Sequence, residues 1–288
     1  MAEEKVSPAG YALAVMNAII LFLSWATIGA RITIRHSGHK YGKDDTLMLV
    51  SLFFFTLFAV FVFCAIDNFI FSPSDHPNWT SDERRKAGLF YYLAQLTYTL
   101  AIVCTRTSIA LALLRIARKK WHQAILYGTI ALMSVTALAT AATLAASTSH
   151  IQKQFDSGTR PRSRSDALRT MVFIFSATSA VEDIVIVVMP YLMLYNLQRD
   201  RAERRGLILL LAMGGAAIVA NVARIPFLPG VGRSGPGQRA GLFFCSLFEL
   251  GIGMLAGSAV MLRTTWRQFW EGRGWGRRSV NVELSRRS

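Results

Sequence analysis

The sequence predicts an all-α protein, a seven-transmembrane-helix bundle with its N-terminus outside and its C-terminus in the cytoplasm. Of its 288 residues, 52% are hydrophobic and only 17% are charged, whereas roughly 25% are charged in an ordinary soluble domain. Seven apolar segments can be marked, and each is about as long as the roughly 17 to 25 residues that a spanning helix needs. Because a spanning segment must satisfy its backbone hydrogen bonds internally, these segments are expected to be helices.

The seven segments follow one another with short connections. They predict a short outer tail over residues 1–8, a membrane domain over 9–262 and a basic cytoplasmic tail with a short interfacial segment over 263–288. In the last segment, Gly253 and Gly257 are spaced so that helix backbones can approach closely. In chain order the segments are Ala9 to Ala30, Thr46 to Ile66, Leu89 to Leu114, Ala124 to Ala146, Thr170 to Leu194, Leu207 to Ile225 and Gly241 to Leu262.

The distribution of basic residues sets the expected orientation. If the N-terminus lies outside, the segments predicted to be cytoplasmic carry 19 of the 32 Lys and Arg residues, and the outer segments carry 11. This bias follows the positive-inside rule. The one glycosylation sequon, Asn78-Trp79-Thr80, falls in a loop that this topology places outside. The loop from Ser147 to Arg169 is basic although it is also predicted outside, so it runs against the bias.

Topology explains most of the net charge of +15, so no nucleic-acid partner is expected. The expected partner is the lipid bilayer, of either the plasma membrane or an endomembrane. A retinal pigment needs a membrane-embedded lysine for its Schiff base. That cofactor is not expected, because the seven lysines lie in predicted tails or loops: Lys5, Lys40, Lys43, Lys86, Lys119, Lys120 and Lys153.

Haem and metal cofactors are not expected either, because their usual histidine ligands are placed outside the predicted helices. His36 and His39 form a His-x-x-His pair, but no further soft or carboxylate ligand accompanies it. The five histidines are His36, His39, His76, His122 and His150.

Five ionisable side chains lie inside predicted spans, where such groups are rare and mark ion pairs, cavities or functional sites. They are Arg106, Glu182, Asp183, Arg224 and Glu249, and Asp67 lies at a helix end. At about 1.5 Å of rise per residue, Arg106 and Asp183 reach similar depths and are expected to pair. Arg224 is expected nearer the outer surface, paired with Asp67 or Glu249. Glu249 reaches a depth at which it could meet Glu182.

The fifth segment places an acid and a proline on one helix face. Asp183 and Pro190 are seven residues apart, and Pro190 cannot donate to the carbonyl four residues before it, which predicts a kink. An acid, a kink and a free carbonyl on one face indicate the wall of a polar cavity. Glu182 projects about 100° away from Asp183, so the two adjacent acids are not expected to face one narrow site.

Several short motifs, taken together, resemble those of a known family. The first predicted cytoplasmic loop contains Arg31-Ile-Thr-Ile-Arg35 and then Gly42-Lys-Asp44-Asp45, and the third segment runs from Arg106-Thr-Ser108 to Arg115. The pattern continues with Asp183 and Pro190 in the fifth segment, Gly214 and Arg224 in the sixth, and Glu249 in the seventh.

These motifs resemble the fungal rhodopsin-like-domain integral membrane proteins, the group with the satratoxin-cluster type and the pathogenicity-associated receptor-like proteins. The resemblance runs from about Arg31 to Arg263. It departs from the family at Arg106, where the family usually has Lys, and Arg keeps the charge but not the compactness of an ammonium. From the residues alone, Asp44 and Asp45 are expected to form surface ion pairs with the neighbouring arginines.

Two functions are compatible with this pattern. The first is a receptor-like or accessory protein of a fungal secondary-metabolite pathway, which binds a small lipophilic ligand or pathway intermediate between its helices. The alternative is a membrane-embedded cyclase or isomerase of lipophilic metabolites. In that case the candidate catalytic residues are Glu182, Asp183 and Glu249, with one carboxyl as general acid and a carboxylate as base. Both functions stay open on the sequence alone, as does a purely structural role for the charges.

Overall fold

In a computed structural model, the residues that the structure describes are entirely helical apart from short connections. They include no β-strand. The described residues are 8–37, 41–67, 81–115, 117, 119–148, 162–194, 201–224 and 240–258.

Seven helices are present in this part of the chain, and they are labelled in chain order. The last is described as far as Ser258. The helices are α1 (Pro8–Ser37), α2 (Lys43–Asp67), α3 (Ser81–Leu114), α4 (Lys120–Thr148), α5 (Arg162–Leu194), α6 (Arg201–Arg224) and α7 (Ala240–Ser258).

The helices are mostly longer than the apolar segments that predicted them. The α3 helix begins at Ser81, eight residues before Leu89, and α5 begins at Arg162, eight residues before Thr170. A hydropathy pattern marks only the length of helix that suits hydrocarbon, whereas the backbone hydrogen bonds continue through polar residues beyond it. For five of the histidines and lysines, the predicted placement outside the helices was therefore wrong. His36, His122, Lys43 and Lys120 lie in the first or last turn of a helix, and Lys86 lies in the second turn of α3.

Six of the described helices are long and apolar enough to cross a membrane. They are α1 to α5 and α7, and the protein is a multi-pass membrane protein. The α6 helix is not among these six, and its side chains before Ala212 lie outside the described residues. Large apolar side chains such as Phe22, Leu138 and Val219 are exposed on the outside of the bundle, as expected of surfaces that face lipid.

Sequential helices pack against one another from α1 to α6, and α3 also contacts α5. Aromatic side chains hold α2, α3 and α7 together. Phe58 lies with its ring 5.9 Å from the Tyr98 ring and 6.0 Å from the Phe243 ring, measured between centroids. The α3 helix is thus surrounded by protein along much of its length, and it carries Arg106, one of the buried charged residues of the site.

Candidate functional site

Five buried charged residues lie in the middle of the bundle, and we call them the core charge cluster. Arg106 comes from α3, Glu182 and Asp183 from α5, Arg224 from α6 and Glu249 from α7. Nη2 of Arg106 lies 2.8 Å from Oδ1 of Asp183 and 2.7 Å from Oε1 of Glu249. Nη1 of Arg106 lies 3.6 Å from Oε2 of Glu182. One guanidinium therefore holds carboxylates from two different helices.

The two adjacent acids of α5 approach the same guanidinium, contrary to the expectation that they would face different surroundings. Glu182 and Asp183 do leave the helix in directions about 100° apart. The planar fork of Arg106 nevertheless reaches both, because its two terminal nitrogens point to different acids. The glutamate, longer by one methylene, covers the remaining distance. The prediction assumed that one partner could meet only one of the two side-chain directions. The two terminal nitrogens of an arginine are far enough apart to contact both acids.

Glu249 is the most heavily hydrogen-bonded acid of the cluster. Its Oε1 accepts hydrogen bonds from the guanidinium of Arg106 at 2.7 Å, from Oγ of Ser179 at 2.7 Å and from Nδ2 of Asn221 at 3.0 Å. The same Asn221 nitrogen donates to Oδ2 of Asp183 at 2.9 Å. Helices α3, α5, α6 and α7 thus meet at one carboxylate.

Arg224 is fully buried, and it pairs with Glu249, one of its two predicted partners. Its Nη1 donates to the hydroxyl of Tyr98 at 2.6 Å and lies 3.4 Å from Oε2 of Glu249. The Tyr98 hydroxyl in turn donates to Oε2 of Glu249. The guanidinium also sits 4.8 Å from the centre of the Tyr98 ring, a cation–π distance. The alternative partner, Asp67, ends α2, and its side chain lies outside the described residues.

The helical spacing of Ser179 and Asn221 relates each to a charged residue, although neither was predicted to belong to the site. Asn221 is three residues before Arg224 and Ser179 is four before Asp183, so each lies one turn away on the same face. Searching each charged residue's helix face for polar groups would have found both, whereas Tyr98, eight residues before Arg106, has no such relation. Single polar residues in a membrane segment are otherwise too common to stand out.

The family motif forms a second group of charges, four of them buried and Arg115 exposed, at the end of the bundle where α1 connects to α2. We call Arg31, Arg35, Asp44, Asp45 and Arg115 the motif charge cluster. Arg31 donates from Nε to Asp45 at 2.8 Å and from Nη2 to Asp44 at 3.1 Å. Nη1 of Arg35 lies 2.5 Å from Oδ2 of Asp44 and 2.6 Å from Oδ1 of Asp45.

These contacts are not the surface ion pairs that the sequence suggested. Arg31 is 1% exposed, and Asp44 and Asp45 are 2% and 0% exposed. These side chains are buried because α3 and α7 pack over the α1–α2 connection in the tertiary structure. Nη1 of Arg31 donates to the Gly257 carbonyl of α7 at 3.2 Å, and Ser108 of α3 donates to the Asp44 carbonyl at 2.6 Å.

Gly42 and Arg115 complete the motif charge cluster. The Gly42 backbone N–H donates to Oδ2 of Asp45 at 3.0 Å, and the Asp45 N–H donates back to the Gly42 carbonyl at 3.0 Å. This reciprocal pairing caps the start of α2. Nη2 of Arg115 lies 3.0 Å from Oδ1 of Asp44. A Cβ at Gly42 would displace the Arg115 guanidinium and the Asp44 carboxylate from their positions, so glycine allows both groups to approach the backbone closely.

A partly open cavity of about 70 Å³ lies between the two clusters. Its walls are formed mainly by apolar side chains of α3, α5, α6 and α7. A single buried water needs roughly 10 to 15 Å³ by this measure, so there is room for several waters or for part of a small ligand. The charged side chains among its lining residues are Arg106, Asp183 and Glu249 from one cluster and Arg31 from the other.

Pro190 and Gly214, both singled out from the sequence, also line the cavity. Pro190 lies inside α5, on the cavity face that it shares with Asp183. At Gly214 an added Cβ would collide with Val187, so α6 approaches α5 closely there. Glu182 is not among the residues that line the cavity in the described part of the chain.

Some buried polar atoms of the core charge cluster have no hydrogen-bond partner among the described residues. Oε1 of Glu182, Nη1 of Arg106 and Oδ1 of Asn221 are examples. Such atoms are uncommon in folded proteins and call for an explanation. The same part of the chain contains no group of three or more His, Cys, Asp or Glu that could hold a metal ion.

Several predicted features fall outside the described residues. The sequon at Asn78, His39 of the His-x-x-His pair and the interfacial segment after residue 262 are among them. They stay predictions.

The fold and the two clusters define a class: a multi-pass helical membrane protein with buried charges at mid-bundle and at the α1–α2 end. The model of the fungal rhodopsin domain matches residues 30–268. The chain therefore belongs to the fungal rhodopsin domain family. Neither the curated proteins nor the solved structures gave a match.

Proposed function

We propose that the protein binds a small lipophilic ligand in the cavity between α3, α5, α6 and α7, and serves as a receptor-like or accessory protein of a fungal secondary-metabolite pathway. The observation that carries the proposal is a cavity with mainly apolar walls beside a buried charge cluster. Ligand sites in proteins typically combine such walls with a few polar groups that fix orientation.

Binding is proposed to be noncovalent, without a Schiff base or a metal. The lysines in the described part of the chain lie near or just beyond helix ends, and none of them lines the cavity. They are Lys43, Lys86, Lys119 and Lys120. The ligand would thus be held by its shape, its apolar surface and contacts with the lining charges.

Gly253 offers a direct test, because it lines the cavity and has room for a methyl group. A Cβ there would lie 3.5 Å from Cγ2 of Thr105, an ordinary contact. Saturation binding of radiolabelled octan-1-ol to protein in phosphatidylcholine nanodiscs is expected to weaken roughly tenfold in Gly253→Ala. Gly128→Ala on α4 is the matched control, because its Cβ meets nothing within 4 Å, and it is expected to bind as the parent does. Absence of saturable binding above empty nanodiscs would overturn the proposal.

The alternative is a membrane-embedded cyclase or isomerase of lipophilic metabolites. It is favoured by two carboxylates, Asp183 and Glu249, that line the same cavity. A carboxylate and a carboxyl at one apolar site can act as base and acid. Product analysis of microsomes incubated with candidate metabolites separates the two functions, since a ligand that is bound but not converted supports the binding protein.

A further inference from the structure

The core charge cluster is unbalanced in charge. In the described part of the chain it contains three carboxylates, those of Glu182, Asp183 and Glu249, and two guanidiniums, those of Arg106 and Arg224. With every group ionised, the cluster carries one net negative charge while it is buried among apolar helices. An unmatched buried charge is unfavourable, and it is relieved either by uptake of a proton or by pairing with a further positive charge; the cluster therefore has a place for one such charge.

The position of that charge follows from the hydrogen bonds. Glu249 lines the cavity, but both of its oxygens already accept several hydrogen bonds. Asp183 also lines the cavity, and each of its oxygens has one described partner, Arg106 at 2.8 Å or Asn221 at 2.9 Å. A carboxylate has about four lone-pair positions. Asp183 can therefore accept further donors from the cavity side.

An anion is disfavoured at the same place. Arg106 already faces three carboxylates, and its Nη1, a buried nitrogen without a hydrogen-bond partner, lies 3.6 Å from Glu182. At the other end of the cavity, Arg31 donates from Nε, Nη1 and Nη2 to protein oxygens at 2.8, 3.2 and 3.1 Å. Neither lining guanidinium is free for a carboxylate or phosphate of a ligand.

We infer that the cavity takes an amphipathic amine: a ligand with a protonated nitrogen at Asp183 and an apolar body along the isoleucine and valine side chains of the walls. Ile102, Ile109, Val187 and Ile252 supply those walls. The inference rests on the proposed function and names the chemical class of its ligand. The amine donates its N–H groups to Asp183 and balances the third carboxylate of the core charge cluster.

Three probes of equal chain length test the inference: octan-1-amine, octan-1-ol and octanoate. The amine is cationic at pH 7, as a lysine side chain is, and the acid is anionic. Binding of each is measured to the full chain in phosphatidylcholine nanodiscs, with empty nanodiscs subtracted. The amine is expected to bind at least about tenfold more tightly than the alcohol, and octanoate more weakly than either.

The variants Asp183→Asn and Asp183→Glu locate the contact. The first is expected to reduce the preference for amine over alcohol by about tenfold or more, and the second, which keeps the charge, to retain most of it.

If the alcohol binds and Gly253→Ala weakens its binding, but the amine binds no more tightly than the alcohol, the amine inference fails and the proposed function stands. If no probe binds saturably, both fail. A preference that survives in Asp183→Asn, or tighter binding of octanoate, overturns the inference; if Asp183→Asn does not fold, the ranking of the three probes decides.

Discussion

At the scale of single residues, the side chain that organises the site is Arg106. Its guanidinium contacts carboxylates of α5 and α7 through two different nitrogens. An ammonium in its place would be one point charge on a flexible stem, without a planar fork. The departure from the usual family lysine at this position therefore matters for geometry, because the fork is what allows Glu182 and Asp183 to share one partner.

The first prediction concerns that partnership. Arg106→Gln leaves three buried carboxylates with Arg224 as the one described cation, and we expect a loss of about 3 to 5 kcal/mol in unfolding free energy. Asp183→Asn removes one of three acids and should cost less. The double variant should cost less than the sum, since the remaining cluster carries fewer unmatched charges. Unfolding in mixed micelles measures the four proteins, and additive losses would rule out coupling between Arg106 and Asp183.

At the scale of helices, α7 joins the two charge clusters. Glu249 belongs to the core charge cluster, and eight residues later the Gly257 carbonyl accepts a hydrogen bond from Arg31 of the motif charge cluster. Eight residues are about 12 Å along a helix, and the cavity lies between these two points. Ligand in the cavity would thus contact the helix that connects both clusters.

The second prediction distinguishes two glycines of α7 that look alike in sequence. A Cβ at Gly251 would collide with Cγ2 of Ile20 on α1, and a β-branched side chain has little freedom to move away. Gly251→Ala is therefore expected to destabilise by about 1 to 3 kcal/mol. Gly253→Ala meets an ordinary contact and should be neutral or stabilising, because alanine favours helix by up to about 1 kcal/mol. Equal melting temperatures for the two variants would contradict the close contact of α1 with α7.

At the scale of the whole molecule, the predicted topology gives the two sides of the membrane different numbers of basic residues. The segments predicted to be cytoplasmic carry 19 of the 32 basic residues. The motif charge cluster lies at the α1–α2 end, which the positive-inside rule assigns to the cytoplasm. In this orientation the cavity extends from the core charge cluster toward the cytoplasmic side.

The third prediction tests this orientation through Asn78. If its loop faces outward, Asn78 is accessible to glycosylation, and endoglycosidase treatment should increase gel mobility of the protein from fungal or other eukaryotic membranes. Asn78→Gln should migrate like the treated parent and show no further shift. A cysteine introduced into this loop can be labelled with a membrane-impermeant reagent. Labelling only when the reagent is on the cytoplasmic side would contradict the topology.

Depth along a helix can be counted from the sequence, and this is why Arg106 and Asp183 could be matched in advance. The direction in which a side chain points within the bundle, and the distance that it spans, could not be counted in the same way. The sequence gives no crossing angle for α5 on α3, and the separation of Glu182 from Asp183 by about 100° suggested two environments where the structure has one. Arg224 was placed by its distance from the segment end, yet neighbouring helices cover it completely.

Composition and the lengths of the apolar segments by themselves determined that this is a multi-pass helical membrane protein with a few charges inside its spans, because bilayer thickness and backbone hydrogen bonding leave few other solutions. The motif residues determined the family. Only the tertiary structure decided that Arg31, Arg35, Asp44 and Asp45 are buried and that three acids share one arginine. Burial and partners depend on which faces of separate helices meet, and that is set by packing between segments distant in the chain.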